Sequence, residues 1–219
     1  RKDAGHGRMA YMVQSSKPLT SMVYERVYSS IINGEITGND ILTESGLVSQ
    51  FSVSKSPVRE ALILLCEEGV LKSIPRMGYK VMQILPGQVE DLTEARCALE
   101  PFLLKKAWDH IGKAELAKLE KHLVASKQDE LVNTTVLANW ERNSAFHMMI
   151  AGFAKNDYLL SMLDRTLRTC ARAAAQYFFH IRNIPHGDHD LHDDMMEALR
   201  SHDLKRALGI LDEDIHQIV

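Results

Sequence analysis

The chain of 219 residues is 45% hydrophobic, 25% charged and 6% aromatic, a balance that excludes an extended disordered chain and a disulfide-stapled miniprotein. No run approaches the roughly 20 apolar residues of a membrane helix, and Arg1 to Ala10 lacks the apolar centre of a signal peptide. The expected setting is therefore the cytoplasm, with no membrane partner. Net charge −3 conceals an asymmetry, since residues 1–82 hold ten Lys and Arg against eight Asp and Glu, whereas residues 83–219 hold sixteen against twenty-one. A basic front and an acidic back place any polyanionic partner at the front. Cys66, Cys97 and Cys170 lack CxxC spacing and read as apolar fillers.

Residues 1–17 are polar and aperiodic; Arg1–Arg8, ahead of Met9, have the character of a tag remnant, and no fold is assigned to them. Residues 18–83 form the first predicted domain. Val23, Val27, Ile31 and Ile32 recur at helical spacing up to Asn33-Gly34, a helix stop. A second short helix reads over 44–51. A third reads over 57–69, opened by Ser56-Pro57, where a hydroxyl caps and proline occupies the first turn. Two β-prone runs, 70–74 and 79–82, flank Pro75-Arg76-Met77-Gly78 and predict a hairpin, the wing. Beyond Leu85-Pro86-Gly87 every period is helical, with segments over 88–110, 113–127, 133–154, 157–181, 187–201 and 203–218 making up a second domain, 88–219. The predicted fold is mainly α: an N-terminal winged helix-turn-helix of three helices plus a β-hairpin, followed by an all-α bundle of about six helices.

Ser52-Val53-Ser54 is the tight turn between the second and third helices. Val53 plugs the corner, Leu47, Val48 and Phe51 pack from one side, and Val58, Ala61, Leu62 and Leu65 pack from the other. That leaves Ser54, Lys55, Ser56 and Arg59 exposed at the end of the helix that a major groove receives. The stretch SVSKSPVREALILLCEEGVLKSIPRMGYKV resembles the signature of GntR-type transcription regulators. The resemblance implies that Lys55, Ser56 and Arg59 contact operator DNA and that Gly78 with its neighbours enters the minor groove. Lys55 stands where the family usually carries Arg, which alters base choice because an ammonium lacks the bidentate fork. Met77 occupies a wing position often held by a basic residue, and Arg76 beside it compensates.

In the helical half, polar residues intrude on apolar stripes. Arg96 lies among Leu92, Leu99 and Leu103, Asn143 and His147 lie with Trp140 and Ile150, His192 with Met195 and Leu199, and Asp214 with Ala207, Leu211 and Ile218. Burying such groups unpaired costs roughly 2–7 kcal/mol each, so convergence on one another, a metal or an anion is the economical arrangement. Asn143, His147, His192 and Asp214 offer two imidazoles and two oxygen donors to zinc, nickel or manganese, and Arg96 offers a fork to an effector carboxylate. The domain resembles the FCD ligand-binding domain of the FadR subfamily through Arg96-x-x-Leu99-Glu100, Phe146-His147, His192-x-x-Met195 and Asp203-x-x-x-Ala207. Metal-binding members carry D-x-x-F-H, a later His and a last His; His147 and His192 match, while Asn143 and Asp214 replace the other two, so that one divalent metal and none are both open. His186, His189 and the acidic residues around them read as a solvated helix start, and Arg165, Arg168 and Arg172 as a solvated basic face.

The expected function is a homodimeric regulator, a repressor, whose operator binding responds to a small organic acid. The rival readings are a metal-dependent hydrolase using the His/Asp cluster and a scaffold that binds only protein.

Overall fold

The computed structural model describes residues 19–178 and 191–216, and the last residues of the expected helices over 157–181 and 203–218, the first of that over 187–201, and the segment 1–17, lie outside them. Three helices open the chain: α1 (Leu19–Ile32), α2 (Glu44–Phe51) and α3 (Lys55–Glu67). Their shared face buries Val23, Val27, Ile32, Val58, Ala61, Leu62 and Leu65 completely, with Val53 packed into the corner as expected. Thr43 Oγ1 accepts the Gly46 N–H at 3.1 Å and starts α2; Ser52, at φ 54°, turns the chain out of it. The third helix begins two residues earlier than its sequence suggests. Ser54 is its N-cap residue, so Ser56 is already inside, donating to Glu60 Oε1 at 2.9 Å, and Pro57 fits because first-turn N–H groups have no helical acceptor.

The wing is a real antiparallel hairpin, β2 (Leu71–Ile74) and β3 (Gly78–Val81), joined by a turn in which the Met77 N–H donates to the Ile74 carbonyl at 3.0 Å. Sequence pattern missed the partner on its other edge, β1 (Ile41–Leu42), since two residues carry no period. Strand order is β1-β3-β2. Gly78 sits at φ 133°, and a Cβ there would stand 2.2 Å from the Leu42 carbonyl oxygen, so this position needs glycine to let β1 cross.

The second domain comprises α4 (Pro86–Ala107), a 3-10 turn (Trp108–His110), α5 (Lys113–Glu130), α6 (Val136–Gly152), α7 (Asp157–Phe178), α8 (Leu191–Arg200) and α9 (Leu204–His216). The single helix expected over 88–110 thus starts at Pro86 and tightens after Ala107. The helix expected from 133 starts at Val136, because Thr135 Oγ1 caps it by accepting from the Ala138 N–H at 3.2 Å. Leu104, Leu119, Phe146, Met196, Ala207 and Ile215 fill the centre between α4, α5, α6, α8 and α9.

Helix α7 joins the two halves. Its first part packs Leu163 and Leu167 under α4 and α6, and its last part delivers Ala175 into the core of the winged domain. Arg172, buried, donates to the carbonyls of Gly69 (3.2 Å) and Met82 (2.8 Å). Gln176 takes both main-chain groups of Ile84, accepting its N–H at 2.9 Å and donating to its carbonyl at 2.7 Å, and Tyr177 donates to the same carbonyl at 2.8 Å. Arg168 lies over the rings of Tyr24 and Tyr28. The expectation of a solvated basic face is therefore corrected. Only Arg165 is exposed, and it too donates to a first-domain carbonyl, that of Glu67, at 3.4 Å; Arg172 supplies donors to two more, and Arg168 packs on the tyrosine rings.

Candidate nucleic-acid interface and buried polar centre

The first candidate site is the N-terminal end of α3. Ser54 has no side-chain cap bond and is exposed, so the hydroxyl and the first helical N–H groups face solvent together. Lys55 and Arg59 flank them and share one acidic partner that sequence reading left unassigned: Glu44, the first residue of α2. Arg59 donates Nε and one terminal nitrogen to the two carboxylate oxygens at 3.1 and 3.3 Å, and Lys55 Nζ lies 3.2 Å from the second. The Arg59 hydrogen bonds hold the Glu44 carboxyl below its ordinary range, and Glu44 in turn raises the guanidinium. Arg76, at φ 66°, caps the wing turn with its side chain exposed next to Met77, 58% exposed. Gly78, by contrast, is half-buried against β1. Pro75, Arg76 and Met77 form the exposed tip of the wing, and Gly78 is the first residue of β3 directly beside it.

The second candidate site is internal. The structure brings together Arg96 from α4, His147 from α6, His192 from α8 and Asp214 from α9, as their stripes suggest, and adds Glu100, one turn beyond Arg96. Arg96 Nε donates to Glu100 Oε1 at 2.6 Å, and Glu100 Oε2 lies 2.5 Å from His147 Nδ1. On the far side of the ring, His147 Nε2 is 2.9 Å from Asp214 Oδ2, and His192 Nε2 is 3.4 Å from the same oxygen. That 2.9 Å contact is not aligned as a hydrogen bond, so Nε2, like both terminal nitrogens of Arg96, is buried without a hydrogen-bond partner. Asn143 stands one turn before His147 on α6 and is half-buried. The sign of Glu100 was present in the sequence as the i,i+4 spacing to Arg96.

Charge is balanced within this centre. Burial opposes an imidazolium at His147, but Glu100 and Asp214 on its two sides overcome burial and push it up to about 9. Burial likewise opposes both carboxylates, but His147 together with Arg96 at Glu100, and with His192 at Asp214, outweighs it and holds both below their ordinary range. The donor set also fits a cation. His147, His192 and Asp214 present ligand atoms within 4.8 Å of one another, and their 2.9–3.4 Å contacts resemble the roughly 3.3 Å between neighbours around a tetrahedral ion with ~2.0 Å bonds. A carboxylate on the remote nitrogen of a ligating histidine, the place Glu100 holds, is the usual support of such a ligand. A second trio, Cys97, Asp212 and His216, gathers on the surface with two of its three members exposed.

A cavity of about 260 Å³ opens beside Arg96 between α4, α7 and α9, walled by Val89, Leu92, Cys170, Ala174 and Ile215. Burial pushes the Cys170 thiol up to about 11, so it stays protonated there. Tyr177 belongs both to this wall and to the bond with Ile84 that fastens α7 to the first domain.

A basic helix end beside a wing, fastened through one long helix to a bundle with a charged interior, defines a two-domain DNA-binding regulator. The comparisons with known proteins assign it more closely: residues 19–81 match the bacterial regulatory proteins of the gntR family and residues 91–217 match the FCD domain, and the chain belongs to that family. It is similar to the transcriptional repressor GlaR of Escherichia coli (strain K12), at 26% identity over 86% of this chain and 88% of that one. To the repressor RspR of the same organism it is 25% identical over 93% and 91%. Among solved structures, Escherichia coli McbR/YncC superposes with a TM-score of 0.77 at 20% identity, covering 92% of this chain and 95% of that one. The protein is a DNA-binding transcription regulator and not an enzyme, which removes the hydrolase reading. Among the described residues no helix is long and apolar enough to cross a membrane.

Proposed function

We propose that this regulator is a homodimeric cytoplasmic repressor whose hold on operator DNA is set by a small organic acid anchored at Arg96. The observation that carries the reading is the guanidinium itself, 1% exposed with two unpartnered terminal nitrogens beside a cavity. Glu100 balances the charge of Arg96, but buried N–H donors without acceptors are costly, and a carboxylate matches the free side of the fork. The relatives named repressors favour that direction of control, and a two-fold operator calls for a two-fold protein. Coupling runs through α7, because Tyr177 touches both the cavity and the Ile84 carbonyl. A ligand that prefers one placement of Tyr177 biases the winged domain by its difference in affinity for the two placements.

His147, His192 and Asp214 would hold a divalent zinc, nickel or manganese ion, which when bound supplies a positive charge to offset an incoming anion; Asn143, an amide, is the weak fourth donor. The His147 proton must leave for the ion to bind. Operator sites selected from a random duplex pool give the probe for fluorescence anisotropy. A carboxylate panel at millimolar concentration should change operator affinity several-fold, and a panel that leaves it unchanged overturns the effector reading. Titrating Zn²⁺ into chelator-treated protein in two buffers should report one ion bound with release of about one proton, absent in His147→Ala; no heat above dilution rejects the ion.

A further inference from the structure

Resting on the effector reading above, we infer that the ligand is a monocarboxylate with an apolar body, and not a hydroxylated acid or a diacid. Arg96 is the one cation among the described residues lining the cavity. Its side chain is 1% exposed, and its two terminal nitrogens are closed off from water without hydrogen-bond partners, a number of donors that matches the two oxygens of one carboxylate. Glu90 is exposed at the outer end and repels a second negative charge. Between the two, the walls are Val89, Leu92, Ala173, Ala174 and Ile215.

The lining hydroxyls have already committed their protons and can only accept. Thr93 donates its proton to the Val89 carbonyl at 3.1 Å, and Tyr177 donates its own to the Ile84 carbonyl at 2.8 Å. Cys170 adds only a weak thiol donor. A sugar acid would therefore bury hydroxyls with few partners, while an alkyl or aryl chain loses nothing and removes apolar surface from water. The cavity of about 260 Å³ exceeds the ~150 Å³ that admits a six-carbon ring, which is room for the body of a six- to eight-carbon acid. The small side chains of Ala173 and Ala174 on α7 make that room.

Isothermal titration of the full chain with hexanoate, gluconate and hexan-1-ol tests the class. Hexanoate should bind at least ten-fold more tightly than gluconate, which has the same charge, and hexan-1-ol should bind at least ten-fold more weakly than hexanoate because it leaves Arg96 without an anion. Ala174→Leu should weaken hexanoate at least ten-fold; should that variant fail to melt cooperatively, Val89→Trp at the outer wall gives the same reading. Gluconate binding as well as or better than hexanoate overturns the apolar class while leaving a carboxylate effector standing. Hexan-1-ol matching hexanoate overturns the anchoring at Arg96. If neither acid binds, the apolar class falls, and the operator assay with the wider panel decides the effector reading separately.

Discussion

In the winged domain Lys55 and Arg59 stand 66% and 56% exposed around the carboxylate of Glu44, whereas in the helical domain Arg96 and His147 are 1% and 4% exposed around Glu100. Both are groups of cations sharing a carboxylate, yet burial gives them different work. Exposed pairs contribute little to folding and exchange their partner readily for a phosphate. Buried ones are held by their neighbours, and losing one partner strands a charge in a low dielectric. Changes at the first group should therefore show in DNA affinity with stability intact, and changes at the second in stability before any other readout.

The largest effect expected from that contrast is at Glu100. Glu100→Ala leaves Arg96 and His147 without their shared partner and should cost about 3–5 kcal/mol, a fall of roughly 6–20 °C in melting temperature for a chain of this size. A drop of under two degrees by calorimetry would mean that the centre is wetter than its burial implies. Next comes Arg59→Ala, which removes the recognition-helix fork and should weaken the selected operator about ten- to a hundred-fold with the melting temperature nearly unchanged. Equal affinity at moderate salt would move base reading to another residue. Arg172 stands between the two groups, buried but bonded to main-chain carbonyls of the other domain. Arg172→Met should cost about 1–3 kcal/mol through the stranded carbonyls of Gly69 and Met82 and blunt the effector response in the operator assay. An unaltered response would show that coupling does not pass along α7.

Sequence pattern reached the winged domain well, because the helix periods, the turn and the hairpin are local and its apolar positions fall where the core needs them. It also placed His147, His192, Asp214 and Arg96 inward from helical spacing alone. It failed where the determining contact is distant. Glu44 sits 15 residues from Arg59, and no period links an acidic residue at the start of one helix to a cation on the next. Arg172, Gln176 and Tyr177 reach carbonyls some 90 to 100 residues away, so a face that looks solvated in isolation is an interface. Glu100 was within reach as the i,i+4 partner of Arg96, but spacing alone does not separate a buried pair from a surface one. Gly78 shows a requirement that pattern alone does not reveal: its backbone angle and the close approach of Leu42 call for glycine where β1 crosses.

The smallest expected effect is the sharpest test of exchange at the exposed group. In free protein Glu44 holds both Lys55 and Arg59, so any DNA, specific or not, competes with it for the same cations. Lys55 has one contact to give up, a point charge at 3.2 Å, while Arg59 is gripped by two oxygens and keeps a terminal nitrogen free. Lys55 should therefore release first toward phosphate, with Glu44 continuing to aim the guanidinium at a base edge. Glu44→Gln removes the competitor and the aim together. Binding to random-sequence duplex should tighten roughly two- to five-fold at low salt and the gain should shrink as salt rises, since exposed charges are screened. Binding to the selected operator should gain less, because the aimed fork is lost, so the ratio of specific to random affinity falls. Anisotropy with both duplexes across a salt series reads this directly, and random-duplex affinity that does not move would make Glu44 a bystander to the cations it touches.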